Sequence, residues 1–549
     1  MDKQVRRTLK PGAIFTQRIT QYPTVPEQRI DLLRNWVISS EKSWFKKIYD
    51  GGDAFARWSD MGKICGLQPD EVSRALDELT YYAKLHNVST NSNVRLSHVK
   101  HVWFGDATKT SSIFAQVAEG LEEGEMSATA KGYHVVGFVD PLLYPLDYSC
   151  VYRFREPTRT PEEALTAPIY KFPKHSIHAL RSSLGKRIHL PVELNEWTVS
   201  KRYSMLPTDF YINKEGEAHA TSYINNLHPV KHREMYRLIA NILTTFVPVL
   251  EQSLTDVLHP ACTIPVNEPS EWYTHDGECP GPYEVDRLDK DGYGWSKKQE
   301  RKRIMANNAY ERWERTKTWV GPKPRPFIAP SRPISPYTLC DRKLQAVVQM
   351  DNIVVYPGSN NATTEWKVQG MANERIIATG VYFYSIENVA PGASISFREA
   401  TCGSFSDRYN FDLEVLSKAY GVEIDPLAAK AGQLTVTKGL GVLDIQHGQC
   451  VVFPNTYQSR FLNMKPKDKS KPGVCKMLQF LFMDPATQVP SSAIIPPRQQ
   501  GWRNGTAIQP ISPEDAKAVR NQMLGERNVC NHIASERLFE PWILGLGSQ

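Results

Sequence analysis

The chain has 549 residues and a mass of 62.3 kDa, a length that suits about two to four domains, or one large domain with additions. Hydrophobic residues make up 41% and charged residues 23%. This is ordinary globular composition and excludes a disordered or collagen-like chain. The net charge of +7 is small for the length, so the composition does not favour nucleic acid as a partner.

The cysteines and the N-terminus indicate a compartment. Nine cysteines are scattered along the chain without a CxxC pair, which argues against a disulfide framework and a zinc ribbon. The first residues, Met1 to Arg7, lack the apolar stretch of a signal peptide. No run of about 18 apolar residues predicts a membrane span. We therefore expect a cytoplasmic protein with no membrane partner.

The first part of the chain has apolar residues at helical spacing. A helix is predicted near residues 30–37, and another begins at Pro69, because proline suits the first helical turn. Val135 to Val139 form a short strand candidate. We assign residues 1–195 to an N-terminal helical region.

A long helix is predicted over residues 232–258, with a kink at Pro248. Residues 259–340 then follow as an irregular segment that is long enough to cover an active site. Its basic stretch, Lys297 to Lys317, could bind an anionic partner, but interleaved glutamates favour a solvated helix face. We expect residues 196–340 to pack on the core as a helix and an irregular segment.

From about residue 344 the apolar period changes to two, which is typical of strands. Five stretches have this pattern: 344–356, 375–384, 394–398, 449–453 and 476–483. They predict an all-β core over residues 341–500, most simply a sandwich or jelly roll. An arm and a helix near 513–526 occupy residues 501–549. The predicted fold class is therefore α+β.

Several catalytic motifs are absent from the sequence. No GxxxxGK[ST] phosphate loop is present, and no GxGxxG lies between a strand and a helix. GxSxG and HExxH are also missing. These absences argue against a nucleotide-binding enzyme, a serine hydrolase of the elbow type and a zinc protease.

Two blocks of sequence carry a family resemblance. The first contains LPTDF at 206–210 and SYINNLHP at 222–229, and the second contains WKVQGMANERIIATG at 366–380 with FPNTYQSR at 453–460. Together they resemble the fungal DUF4246 family, whose members have no known function. The similarity extends from about residue 30 to residue 500.

The resemblance implies a jelly-roll (double-stranded β-helix) core like that of Fe(II)/2-oxoglutarate oxygenases. The three positions that resemble their metal ligands fall on Lys367, Gln369 and Ser459, and the position for the basic oxoacid-binding residue falls on Cys475, next to Lys476. An ammonium has no lone pair to donate, and an amide or neutral hydroxyl is a poor iron ligand. The resemblance thus implies an oxygenase scaffold that lacks the iron triad.

The alternation of a strand places Glu365, Lys367 and Gln369 on one face. This face is either an exposed edge or the wall of a pocket. In a pocket, Lys367 could polarise a carbonyl or hold an anion, and burial would lower its pKa for acid–base or Schiff-base chemistry. Alternatively, Lys367 forms a structural ion pair with Glu365 or Glu374.

The predicted catalytic residues share polar or titratable side chains near this face: Lys367, Gln369, Ser459, Tyr457 and Tyr382. The predicted substrate-binding residues are their charged or hydroxyl-bearing neighbours: Glu365, Glu374, Arg375, Tyr384, Arg398 and Lys476. No metal site is expected. A replacement site around His447 and Asp444 is disfavoured, since a histidine in a turn is more often solvated.

The predicted function is a metal-independent isomerase, cyclase or lyase step in small-molecule, specialised metabolism, with no cofactor. Two alternatives stay open. One is an Fe(II)/2-oxoglutarate oxygenase with displaced ligands, and the other is a non-catalytic pseudo-enzyme that binds a partner. The sequence does not give the substrate or the oligomeric state.

Overall fold

The computed structural model describes residues 20–543, with the exception of residues 22, 42, 51, 89–93, 122–125, 128–131, 150–151, 172–197, 259–271, 281–296, 325, 330–336, 403–417, 422–432, 435–436, 504–507 and 540–541. The first 19 residues of the predicted N-terminal region and much of the irregular segment 259–340 lie outside the described residues.

The α-helices of the described residues are concentrated in the first half of the chain. Their bounds are Val25–Ser40 (α1), Trp44–Asp50 (α2), Asp53–Ile64 (α3), Pro69–Val88 (α4), Thr108–Ala118 (α5), Arg233–Leu258 (α6), Lys297–Glu314 (α7) and Pro513–Ala534 (α8). Short 3₁₀ turns lie at Glu162–Leu165 and Ala372–Glu374, and a π-helical turn, Ser535–Phe539, extends α8. The helices predicted from Pro69, over 232–258 and near 513–526 are confirmed.

The strands of the first 320 residues are short, with one exception at β5. They are Thr20–Gln21 (β1), Arg95–Leu96 (β2), Trp103–Asp106 (β3), Met126–Ser127 (β4), Tyr133–Val139 (β5), Leu146–Asp147 (β6), Tyr152–Phe154 (β7), Ile169–Lys171 (β8), Tyr203–Ser204 (β9), Thr208–Ile212 (β10), Ala218–Ala220 (β11), Tyr273–Thr274 (β12) and Thr318–Trp319 (β13).

Most of the later strands are longer and form the greater part of the two main sheets, whereas the two-residue strands β17 and β22 pair with each other. They are Arg342–Val355 (β14), Ile376–Glu387 (β15), Ser394–Cys402 (β16), Gln433–Leu434 (β17), Thr437–Asp444 (β18), Gln449–Pro454 (β19), Gln458–Leu462 (β20), Gly473–Met483 (β21) and Trp542–Ile543 (β22). All five predicted strands are present within these bounds or close to them.

The larger sheet has the order β11-β10-β14-β21-β15-β19-β3-β2, and β5 joins it by pairing with β14. All of these pairings are antiparallel. The 14-residue β14 pairs with β10 in its first half and with β5 in its second half. The sheet therefore combines the predicted core over 341–500 with strands from residues 95–220. A mixed helical and β fold with a large antiparallel sheet agrees with the predicted class.

Helix α6 covers the outer face of this sheet. Its Phe246 ring packs against Phe480 and Phe482 of β21. A Cβ atom at Gly380 would lie 2.8 Å from Phe246, so glycine permits the close approach of helix and sheet. By length and composition α6 could cross a membrane, but most of its apolar residues are buried against the sheet, as in a core helix.

The smaller sheet, β1-β16-β18 with β20 paired to β16, packs on the inner face of the larger one. Phe397 of β16 and Phe453 of β19 meet with their ring centroids 5.0 Å apart. Val381 and Phe383 of β15 belong to the same buried cluster. Alternate residues of β15, Tyr382 and Tyr384, belong instead to the cluster on the helical side. Because side chains alternate along a strand, those of β15 form an inner row and an outer row.

Candidate functional site

The inner face of the two sheets contains a small polar pocket. Its polar lining consists of Lys367, Gln369, Ser459, Arg460 and Gln479. Its apolar lining consists of Val381, Ile395, Phe453 and Phe461. The free space is about 10 Å³, which is close to the least that holds one water molecule. The pocket is therefore closed in this conformation.

Backbone pairing brings Lys367 and Ser459 side by side. The Lys367 N–H donates to the Ser459 carbonyl at 3.2 Å, and the Ser459 N–H donates to the Lys367 carbonyl at 3.1 Å. This pair is an isolated antiparallel bridge rather than part of a long strand. Residues that exchange both hydrogen bonds present their side chains on the same face. The two predicted residues consequently share one wall of the pocket.

The backbone of Gln369, two residues after Lys367 in the chain, is held by hydrogen bonds to Asn455. Its N–H donates to Asn455 Oδ1 at 3.0 Å, and Asn455 Nδ2 donates to its carbonyl at 2.8 Å. Asn455 is itself buried. This reciprocal pair holds the backbone at Gln369 against the turn that follows β19, so both Lys367 and Gln369 are positioned by hydrogen bonds rather than by a strand.

A buried carboxylate lies beside the pocket on β14. Asp351 is 5% exposed, and Gln479 Nε2, from the pocket lining, donates to its Oδ2 at 3.1 Å. Gln349 Nε2 donates to the same oxygen. Burial raises the pKa of Asp351 to about 7, and the negative charge of Asp140 adds to this shift, while Lys367 opposes it. Asp351 can therefore gain or lose a proton near neutral pH.

The pKa of the Lys367 amine is shifted in the opposite direction to that of the Asp351 carboxyl group. Burial lowers its pKa below the ordinary value of 10.5, and the negative charge of Asp351 partly offsets this. The lysine and the carboxyl group thus approach each other in proton affinity, which is the arrangement that favours proton exchange between them.

Helix α8 covers the segment that carries Lys367. Asn531 Oδ1 accepts a hydrogen bond from the Val368 N–H at 3.2 Å. Just beyond α8, Ser535 Oγ accepts one from Gln458 Nε2 at 2.9 Å. Earlier in the helix, Arg520 forms an ion pair with Asp140. The positive charge of Arg520 is therefore neutralised by Asp140 and not by a residue that lines the pocket. The helix therefore holds the 366–369 segment in the closed conformation.

A buried ion pair connects α8 to the core, and we expect it to contribute more to the stability of this helix packing than the other contacts do. Arg527 is paired with Glu374, whose side chain is completely buried. We expect Arg527→Met to lower the free energy of unfolding by about 3–5 kcal/mol, since it leaves an uncompensated buried carboxylate. Chemical denaturation measures this effect. As a control, Arg237→Met breaks an exposed pair with Glu234 and should leave stability unchanged; equal losses would contradict the assignment.

The same contacts define Glu374 as a structural residue. Its two carboxylate oxygens accept hydrogen bonds from the backbone N–H groups of Met205 and Met371 at 2.7 and 2.8 Å. Glu374 is therefore held in the core and does not line the pocket, where it was predicted to bind substrate. The predicted Lys367–Glu374 ion pair is likewise not formed, because Arg527 is the partner of this carboxylate.

The structure places Tyr382 and Tyr384 on the other face of the larger sheet. Both rings pack against Phe114 of α5. The Tyr382 hydroxyl donates to the Ala107 carbonyl at 3.2 Å. The odd-numbered residues of β15 near this point face the pocket, so these tyrosines are separated from Lys367 by the sheet itself.

Tyr457 is buried between the sheets but does not line the pocket. Its hydroxyl donates to the Lys100 carbonyl at 3.2 Å. Arg398 lies near the pocket, where its guanidinium group is 4.6 Å from the Trp366 ring and its Nε donates to Gln458. Arg460 lies on the same ring at 4.3 Å. These arginines are held by cation–π contacts.

The other predicted binding residues lie apart from the pocket. Glu365 is exposed. Arg375 is buried in a left-handed conformation with φ of 57°, and its carbonyl accepts a hydrogen bond from the Asp484 N–H at 3.0 Å. Lys476 is paired with Glu387 at 2.8 Å. Of the predicted site residues, the structure brings Lys367, Gln369 and Ser459 together.

Asp351, Gln479 and Arg460 were not predicted. The sequence does contain a signal for the first two, because Gln349 and Asp351 alternate with apolar residues in β14, and Gln479 interrupts the apolar run of β21. Polar residues in the inner row of a buried strand need partners.

The donor set of the pocket does not fit an iron centre. Lys367 offers an amine, Gln369 and Gln479 offer amides, and Ser459 offers a hydroxyl, whereas non-haem iron in oxygenases is held by two histidines and a carboxylate. Within the described residues no group of three or more His, Cys, Asp or Glu side chains is arranged to bind a metal. His447, a disfavoured candidate for a replacement site, is hydrogen-bonded to Ser111 at 2.9 Å.

Comparison with known proteins identifies relatives of the chain. The model of a family described as "Protein of unknown function (DUF4246)" matches residues 72–506. A solved structure, the selenomethionine-labelled Fe(II)/α-ketoglutarate-dependent dioxygenase TqaL, is 12% identical with a TM-score of 0.16. That match covers 37% of this chain and 64% of the dioxygenase, so it spans less than two thirds of that protein. No match was found among curated proteins.

Proposed function

This chain belongs to the DUF4246 family, and we propose that it is a metal-independent enzyme that acts on a small carbonyl compound, with Lys367 as its catalytic amine. The observation that carries the proposal is the placement of Lys367 in a closed pocket beside the buried carboxyl group of Asp351. We infer that the two packed sheets form a jelly roll and that the enzyme is cytoplasmic.

The chemistry requires the neutral form of Lys367, which burial makes more accessible by lowering the pKa of its amine. The Nζ lone pair adds to the carbonyl carbon of the substrate, and the carbonyl oxygen leaves as water with the two amine protons. The product is an imine, whose protonated form withdraws electrons from the adjacent carbon. This step needs no metal and no co-substrate.

Asp351 supplies the proton transfers of the same reaction. Its carboxylate takes a proton from the α-carbon next to the imine of a β,γ-unsaturated substrate, and the resulting acid returns that proton to the γ-carbon while the double bond moves to the α,β position. Water then releases an isomer of the substrate and restores the amine. A carboxyl group with a pKa of about 7 is suited to both transfers at neutral pH. Ser459 and Gln479 offer hydrogen bonds to the substrate oxygen.

Reductive trapping tests this proposal without knowledge of the natural substrate. Butanal and cyanoborohydride convert an imine to a stable secondary amine, which mass spectrometry locates. We expect Lys367 to be labelled at pH 7.5 well before Lys438 and Lys63. Lys438 is a matched partly buried lysine: burial alone would lower its pKa, but Asp31 at 2.7 Å raises it overall. Lys63 is 72% exposed. Labelling of Lys367 no faster than of these two would overturn the proposal.

The oxygenase alternative predicts a different result. Stoichiometric iron in the purified protein, with a visible charge-transfer band on anaerobic addition of Fe(II) and 2-oxoglutarate, would support a site with displaced ligands. The side chains of the pocket favour no metal and no band.

A second candidate is a non-catalytic binding protein. The observation in its favour is the free space of about 10 Å³, which is too small for a substrate unless α8 or the 366–369 segment moves. This candidate predicts that butanal does not reach Lys367, so the same trapping experiment separates it from the enzyme.

A further inference from the structure

A second cavity lies between the sheets, at one end of the sandwich. It measures about 140 Å³ and is lined by side chains that share an apolar character. They include Ile386, Val389, Ile445, Met464 and Cys475. Burial raises the pKa of Cys475 to about 12, so its thiol stays neutral and forms part of the apolar wall. An apolar cavity of about 150 Å³ in a protein core binds benzene-sized molecules.

The strands that line this cavity continue directly into the polar pocket. On β21, Cys475 lines the cavity and Gln479 lines the pocket, four residues apart, or about 13 Å. On the opposite sheet, Ala393 lines the cavity and Ile395 lines the pocket, which is a separation of about 7 Å. The two spaces are therefore successive along the axis of the sandwich.

One layer of side chains separates them on the larger sheet. Phe383 and Met477 occupy it, and both are buried. Met477 has an unbranched thioether side chain that can change rotamer to open an irregular path. At the outer end of the cavity, Pro391 and Gly392 are exposed, so a molecule can enter from solvent on this side.

We propose that the substrate is a carbonyl compound with an unbranched apolar tail long enough to pass Phe383 and Met477, with the carbonyl at Lys367 and the end of the tail in the cavity around Cys475 and Met464. This substrate class rests on the proposed function, because the carbonyl is assigned through Lys367. The tail is assigned independently, through the volume and the apolar wall of the second cavity.

Trapping with aldehydes of increasing length tests the tail. The probes are ethanal, butanal, hexanal, octanal and decanal, each with cyanoborohydride. The concentration that half-saturates labelling of Lys367 should fall about fourfold for each added methylene that enters the apolar cavity, since each buried methylene contributes about that factor. Labelling that does not depend on length would overturn the proposal.

A variant that fills the cavity provides the matched comparison. Ala393→Leu adds side-chain volume in the cavity wall and should remove the preference for long aldehydes. Val442→Leu, at an exposed position of β18, adds apolar volume outside the cavity and should keep the preference. If Ala393→Leu does not fold, the length series on the unaltered protein still decides. A preference retained in folded Ala393→Leu would contradict the placement of the tail.

The two proposals fail in distinguishable ways. Equal labelling of Lys367 by all five aldehydes would support the proposed catalytic amine and would contradict only the assignment of the apolar tail. If no aldehyde labels Lys367 rapidly, the proposed catalytic amine is contradicted, and so is the substrate class that rests on it.

Discussion

Lys367→Met is expected to abolish the fast aldehyde labelling of the protein and any turnover, while its free energy of unfolding stays equal or increases. The ammonium of Lys367 is held in a partly buried site that lowers its pKa, so its charged form is destabilised there. Methionine keeps the length of the side chain without a charge. Denaturant titration and peptide mass spectrometry measure the two effects on the same sample.

Lys438→Met is the matched control and should give the reverse result. Lys438 is paired with Asp31 at 2.7 Å, so its loss should cost about 1 kcal/mol by leaving the partly buried Asp31 carboxylate with fewer partners. Fast labelling should be retained. If Lys367→Met destabilises the protein as strongly as Lys438→Met does and labelling persists, Lys367 is a structural residue.

Asp351→Asn is expected to remove a pH dependence of stability and to slow turnover by about 100-fold or more, the usual contribution of a general acid–base group. The pKa of Asp351 rises from 3.8 to about 7 in the folded protein. Between these values the folded state binds a proton that the unfolded state has released. Stability therefore falls as pH rises from about 4 to about 7, by at most about 4 kcal/mol.

The measurement is the free energy of unfolding of both proteins at pH 5 and pH 8. Asparagine keeps the shape of the side chain and has no carboxylate to desolvate. The variant should be more stable than the parent by about 1–2 kcal/mol at pH 5 and by about 4 kcal/mol at pH 8. A variant that is less stable than the parent at pH 8 would mean that the ionised carboxylate is well paired, and Asp351 would then not be a carboxyl group with a raised pKa.

The sequence predicted the main elements because their periodicity is strong. Helix α6 has an apolar face over its full length, and the later strands alternate clearly. The pairing of β5 and β10 with β14 was not predictable, because partners more than 100 residues apart leave no local signal. The 365–369 stretch was predicted as a strand but forms a single bridge at Lys367, since the left-handed Gly370 redirects the chain.

The site was predictable only in part, for related physical reasons. Alternation and the family resemblance together indicated Lys367, Gln369 and Ser459. Tyr382 and Tyr384 were placed with them because they lie on the same strand as pocket residues, yet one-residue offsets put them on the opposite face. Asp351 belongs to a strand distant in sequence, and its partnership with Gln479 depends on strand register.

The central claim is that Lys367 is an amine whose pKa is lowered by burial, and the pH profile of its labelling tests this most directly. The rate of reductive trapping at Lys367 is measured from pH 6 to pH 10.5 with butanal at a fixed concentration, after correction for the pH dependence of the reductant with a model amine. We expect a rate that levels off well below pH 10.5, the ordinary pKa of lysine. A rate that rises about tenfold per pH unit up to pH 10 would mean an unperturbed lysine and would contradict the claim.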